Sequence, residues 1–201
     1  MGAAGAPRAW QRMLSGRRLD LIDPSPLDIE IADIAHGLAR VARWNGQTRG
    51  PEIFSVAQHS LLVEELFGLL APRDERPARL AALLHDAPEY VIGDMISPFK
   101  AVIGADYKRI EQGLQAATHL RFGLPARNAG ELAARIKSAD RAAAYFEATA
   151  LAGFAVAEAQ KLFGAPKIAP GAIAAYLKPM QPGEAQDRFL GRFAELFDYS
   201  P

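Results

Sequence analysis

Four residues carry the chemistry that stands out in this chain: His59, the adjacent pair His85-Asp86, and Asp140. Imidazoles and carboxylates together can hold a divalent ion, and they also serve as ordinary hydrogen-bonding partners. An isolated His-Asp pair reads first as a polar pair. Adjacent helical residues point about 100° apart, so both reach one ion only when it sits close to the helix flank. The other two residues change the reading. His59 and Asp140 lie in segments lined with apolar residues, where a histidine or aspartate is costly unless it is paired or ligates a metal. Two neutral imidazoles and two carboxylates would form a doubly negative site for one divalent metal ion. Such a set favours Mn, Co, Fe, Ni or Zn over Ca, and Mg prefers all-oxygen surroundings.

Further candidates surround this set. Glu89 lies four residues after His85 and three after Asp86, so it shares their helical face. A carboxylate beside a metal-bound water, but off the metal, can orient the water or take its proton. Arg43, Lys100 and Lys137 are candidate phosphate contacts, arginine being suited to bidentate contact. Lys137 is three residues before Asp140 and on its face. Trp44 is a candidate wall for a sugar or base. Glu147, seven residues after Asp140, either bounds the pocket or pairs with an arginine. His36 is expected to be structural, and His119 to sit as an imidazolium near a helix C-terminus. Tyr145, Phe146, Phe189, Phe193 and Phe197 read as packing residues.

The elements that must position these groups are helices. Residues 1–28 read as an irregular lead-in, with a short strand near 17–22. Asp28 is placed as the cap of a first helix whose apolar face is Ile31, Ile34, Ala35, Leu38 and Val41, ending at Arg43-Trp44 before Asn45-Gly46. A second helix is expected over 55–70. A third starts at Arg76-Pro77 and is kinked by Pro88, which cannot donate to the carbonyl of Leu84. Residues 93–100 read as a loop. Helices follow over 106–121, 129–154 and 184–197, and 164–183 read as mostly loop. Strand signals are nearly absent, so the class is all-α, with about six to seven helices. The expected organisation is a lead-in (1–28), a helical core (29–163), and a C-terminal loop and helix (164–201) packed on the same domain.

Composition narrows the function classes. The chain has 201 residues, 50% of them hydrophobic and 23% charged, enough apolar content to bury a core. Lys+Arg and Asp+Glu are each 23, so no net positive charge draws a nucleic-acid polymer. Cysteine is absent, which excludes disulfide scaffolds, Cys-ligated zinc, iron–sulfur clusters and thiol catalysis. The first eight residues lack the apolar core of a secretory leader, and charges break every apolar run before 18 residues. A soluble cytoplasmic protein without a membrane partner is expected.

In order and spacing, His59, His85-Asp86 and Asp140 resemble the metal site of the HD-domain metal-dependent phosphohydrolases, over roughly residues 14–160. The runs Phe54-Ser55-Val56-Ala57-Gln58-His59-Ser60 and Leu84-His85-Asp86-Ala87-Pro88-Glu89 are similar to the bacterial 5′-deoxynucleotidase branch and its phage relatives. The resemblance implies an HD-type helical core, metal ligation by these four residues, and attack of metal-bound water on phosphorus. It also implies a catalytic glutamate at Glu89, a substrate 3′-hydroxyl contact or catalytic carboxylate at Asp94, and an Arg-Trp pair at Arg43-Trp44. The substrate expected is a small nucleotide, a deoxynucleoside 5′-phosphate first, with triphosphohydrolase activity as the alternative. A non-catalytic nucleotide-binding module is the alternative of another class. Related nucleotidases are commonly homodimers, and aromatic faces on peripheral helices are expected to supply that contact.

Overall fold

The computed structural model describes residues 8–70, 75–96, 99–100, 102 and 104–197. It is all-α apart from one small hairpin, β1 (Trp10–Arg12) paired antiparallel with β2 (Arg18–Asp20). Eight α-helices are present among the described residues: α1 (Ile31–Leu38), α2 (Val56–Leu70), α3 (Arg76–Leu83), α4 (Glu89–Ile92), α5 (Ala105–Arg121), α6 (Gly130–Ala150), α7 (Val156–Phe163) and α8 (Pro182–Phe197).

The central element is α2. Val56–Val63, Leu66 and Phe67 are all buried, on every side of the helix rather than along one stripe. A helix buried all round must be enclosed by neighbours, and α3, α6 and α8 pack around α2. Each large side chain so buried, such as Leu62 or Phe67, contributes about 1.5–3 kcal/mol. Phe189 and Phe193 of α8 are buried, and Phe193 and Phe197 stack on each other and against Phe122. These rings pack within the chain, in line with their reading as packing residues.

Several boundaries differ from the sequence reading. The first helix stops at Leu38, and Arg43-Trp44 is not its end. Ala42 pairs with Ser55 across a single bridge. Arg43 N–H donates to the Phe54 carbonyl (2.8 Å), and Arg43–Gly46 form a separate 3₁₀ turn. Asp28 lies in a 3₁₀ turn (Pro26–Asp28) capped by Ser25, whose hydroxyl accepts from Leu27 N–H. The hairpin is tied to the helical core: Ser15 bonds through its backbone N–H and its hydroxyl to the buried carboxylate of Asp33 on α1. The helix expected over 129–154 ends at Ala150, and α7 follows it. Residues 170–172 and 174–177 make 3₁₀ turns within the proline-rich stretch.

Pro88 ends a helix rather than kinking one. α3 stops at Leu83, residues 84–88 turn, and α4 starts after Pro88. The Leu84 carbonyl, which cannot receive a bond from Pro88, accepts instead from Ala87 N–H (3.1 Å) and from the Gln115 amide of α5 (2.9 Å). α4 rests on α1 at Gly37, where an added Cβ would lie 2.8 Å from both the Cβ and the carbonyl oxygen of Tyr90.

Candidate metal centre

The break before α4 frees His85 and Asp86 from helical register, and their side chains turn to one point. His85 Nε2 lies 3.1 Å from Asp86 Oδ2. His59, from the middle of α2, brings its Nε2 to 3.4 Å from Asp86 Oδ2 and 3.4 Å from Asp140 Oδ1 of α6. The ligand atoms of His59, His85 and Asp140 lie within 4.8 Å of one another. Two ligands on one ion stand at most about twice the metal–ligand distance of roughly 2.0–2.3 Å apart, so a small contraction closes this set.

The residues present fit a divalent ion. The Nε2 atoms of His59 and His85 are buried with no hydrogen-bond partner. Both rings are oriented from behind: His85 Nδ1 bonds the Ala82 carbonyl (2.9 Å), and His59 Nδ1 bonds Glu147 Oε1. A donor role at Nδ1 leaves the Nε2 lone pair for a metal. The electrostatics agree. Burial and the Arg43 charge oppose a positive charge on His59, yet Glu147, Asp140 and Asp86 hold its pKa well above the usual value. Burial also disfavours charge on Asp86 and Asp140, but His85 and His59 keep the first, and chiefly His59 the second, well below the ordinary carboxylate range. The pocket is built to hold a cation.

Glu89 sits at the start of α4, 3% exposed, with Oε2 buried and without a partner. Burial, reinforced by the charges of Asp86 and Asp94, pushes its pKa up to about 9 against the pull of Arg43 and Lys100. Asp94 is tied to Arg43, Oδ2 to Nη1 at 2.8 Å. The three candidate cations all stand against carboxylates. Arg43 also approaches Glu147 (3.4 Å), and Lys100 lies between Glu111 (2.9 Å) and Glu89 (3.4 Å). Lys137 reaches Asp140 (2.7 Å) from an exposed position at the rim. Trp44 donates its indole N–H to Glu147 Oε2 (2.9 Å) and packs on Phe154 and Phe163. A cavity of about 390 Å³ opens beside Asp94, walled by Asn45, Ile92, Met95, Ile96 and Phe99.

Sequence reasoning left the role of Glu147 open, and its spacing from Asp140 was the signal available. It is fully buried; it pairs with Arg43, one of the two alternatives, and it also bonds His59 Nδ1, which neither alternative contained. Burial opposes its ionisation, but His59 and Arg43 bring its pKa down to about 2. His119 differs from its expected role. It lies near the end of α5 but is 1% exposed, and burial lowers its pKa despite the bond to the Pro125 carbonyl, so it is a neutral core histidine.

Residues 56–145 match the HD domain, and they span His59, His85-Asp86 and Asp140. HD domains are found in metal-dependent phosphohydrolases and bind divalent metals. The chain is 58% identical over 186 residues to an uncharacterised protein of Rhodobacter capsulatus, covering 92% of this chain and 94% of that one. It is also 36% identical over 98 residues to the uncharacterised protein YfdR of Escherichia coli, 49% of each chain. No helix among the described residues is long and apolar enough to cross a membrane.

Proposed function

We propose that this chain hydrolyses the phosphate ester of a small nucleotide, a deoxynucleoside 5′-phosphate, at the centre formed by His59, His85, Asp86 and Asp140. The observation that supports this most is the buried cation site flanked by Glu89, whose free oxygen has no partner, and by Arg43. A divalent ion of the Mn, Co, Fe, Ni or Zn type, held by these four residues, would polarise a phosphoryl oxygen and acidify water.

The chain's own groups supply the rest. Burial pushes the pKa of Glu89 up to about 9. A divalent charge nearby lowers it toward neutrality, where one carboxyl can both take and give a proton. Arg43 presents a guanidinium held by Asp94 and Glu147, suited to a bidentate grip on phosphate. Lys100 and Lys137 add charge from two other sides. Arg43 and Lys100 both stand against carboxylates, so each would exchange a carboxylate contact for phosphate. The cavity beside Asp94 offers apolar walls to a sugar and base.

The test is a phosphate-release screen over ribo- and deoxynucleoside mono-, di- and triphosphates with Mn, Co and Mg. Release from deoxynucleoside monophosphates with Mn or Co is expected. Release of a polyphosphate from triphosphates alone, or no release from any nucleotide, would overturn the reading.

A further inference from the structure

Glu147 is a fully buried carboxylate outside the ligand set that takes three side-chain hydrogen bonds. It makes no contact with the ligand face of His59, yet both of its oxygens are occupied. Oε1 accepts from His59 Nδ1 on α2. Oε2 accepts from the Trp44 indole N–H (2.9 Å) and the Arg43 Nε–H (3.4 Å) on the turn between α1 and α2. One carboxylate therefore bonds the back of a metal ligand and the base of the turn that carries the candidate substrate contacts.

Each arm needs a carboxylate for a separate reason. On the first, an acceptor at Nδ1 fixes the His59 tautomer that leaves Nε2 free for a metal. On the second, the turn has an unfavourable backbone. Trp44 (φ 56°) and Asn45 (φ 50°) are consecutive non-glycine residues in the left-handed region. Such a backbone persists only when its surroundings over-determine it. The indole bond to Glu147, the ring packing on Phe154 and Phe163, and the Arg43 N–H bond to the Phe54 carbonyl supply that constraint.

We infer that Glu147 is a positioning residue that couples metal binding at His59 to the geometry of the Arg43-Trp44 turn. The coupling follows from a shared acceptor. A cation bound at His59 Nε2 changes the charge that Glu147 faces across the ring, and the bond from Glu147 to the indole changes with it. An ordered turn conversely holds Glu147 where it orients His59. The inference rests on the metal-binding part of the proposed function and needs no nucleotide.

Glu147→Gln keeps the size but offers one acceptor and one donor in place of two acceptors. If the amide oxygen faces His59, the NH₂ group meets the indole and guanidinium donors. If it faces the turn, the NH₂ group forces His59 into the tautomer with a proton on Nε2. Gln cannot serve both arms.

The experiment is a Co²⁺ titration followed by visible absorption, with Trp44 emission read in a Trp10→Phe background, for chains with Glu147 and with Glu147→Gln. Circular dichroism checks that both are folded. The expected result is a loss of Co²⁺ affinity of roughly 10–100-fold, the usual cost of losing an outer-shell partner, together with a shift in Trp44 emission. Unchanged affinity or unchanged emission would overturn the coupling. A second measurement covers the case in which the variant does not fold: in the Trp10→Phe chain, saturation with Zn²⁺ should move the Trp44 indole N–H resonance, and a stationary resonance would overturn it. A chain that binds Co²⁺ normally but releases no phosphate from nucleotides would refute the proposed substrate and leave the coupling intact. A chain that binds no Co²⁺ or Zn²⁺ would end both.

Discussion

Lys100 Nζ stands 3.4 Å from Glu89 Oε1, yet the pKa of Glu89 is pushed up to about 9. Burial, together with the charges of Asp86 and Asp94, outweighs the pull of Arg43 and Lys100, and Lys100 itself lies closer to Glu111, at 2.9 Å. Glu89 is thus a carboxyl whose second oxygen has no partner and whose burial favours the protonated form even beside Lys100.

Glu89→Gln should retain normal metal content and lower kcat by roughly 10²–10⁴, the span usual for losing general acid–base help. Metal analysis of the purified variant beside its turnover decides the point. Parallel loss of metal would make Glu89 a ligand and its assigned role wrong.

Chelation should lower the melting temperature. An ion present at about 100 times its Kd stabilises the native state by about 2.7 kcal/mol. For a chain of this length that corresponds to roughly 5–10 °C. Scans with and without a chelator, and with Asp140→Ala, should show the shift in the parent chain and little of it in the variant.

Gly37→Ala tests the seat of α4. The added Cβ would come within 2.8 Å of the Tyr90 carbonyl oxygen, a backbone atom that cannot swing away. Overpacking of this kind costs about 1–3 kcal/mol. Because Tyr90 follows Glu89 on α4, kcat should fall with stability even though Gly37 lies outside the proposed catalytic groups. Urea melts and kinetics on one preparation would show it, and a variant matching the parent in both would mean that α4 is free to shift.

The clustering of His59, His85, Asp86 and Asp140 was legible because imidazoles and carboxylates are conspicuous on apolar helices. The helix order was legible because prolines and glycines punctuate the chain. Two features were not. The sequence places His85 and Asp86 about 100° apart on a helix, and only the break at Leu84, sealed by Gln115 thirty-one residues away, lets both converge. Arg43-Trp44 reads as the end of a helix because the apolar spacing runs on to Val41, whereas the bridge from Ala42 to Ser55 removes those residues from it. Local pattern cannot register a partner that arrives from elsewhere in the chain.

His119 should give stability an acid-sensitive part. Burial lowers its native pKa below the ordinary 6.5. Between those two values the unfolded chain binds more protons, so stability rises with pH. The contribution is complete above about pH 6.5 and is lost as pH falls through the native pKa. His119→Gln removes the titration. The stability advantage of the parent over the variant should shrink between pH 7.5 and pH 5 in urea melts, and a constant gap would show that His119 titrates alike in both states.

Trp44 sets the last expectation, which concerns the sugar. Its indole N–H is committed to Glu147, and its ring is held by Phe154 and Phe163. What it can offer a substrate held by Arg43 is a rigid carbon edge, with no acceptor for a hydroxyl proton and no free donor. A ribose 2′-hydroxyl pressed against that edge would lose water and gain nothing, whereas a deoxyribose carbon would lose little. Steric and desolvation rejection of one hydroxyl is worth about 1–3 kcal/mol, or roughly 10–200-fold in kcat/KM. Deoxynucleotides should therefore be preferred over the matched ribonucleotides, and Trp44→Ala should narrow the gap by opening the space. Trp44→Phe separates the two contributions, since it keeps an aromatic edge but gives up the bond to Glu147. It should retain part of the preference while weakening binding of both sugars. Equal kcat/KM for the two sugars in the parent chain would dispose of the idea and leave a general nucleotidase.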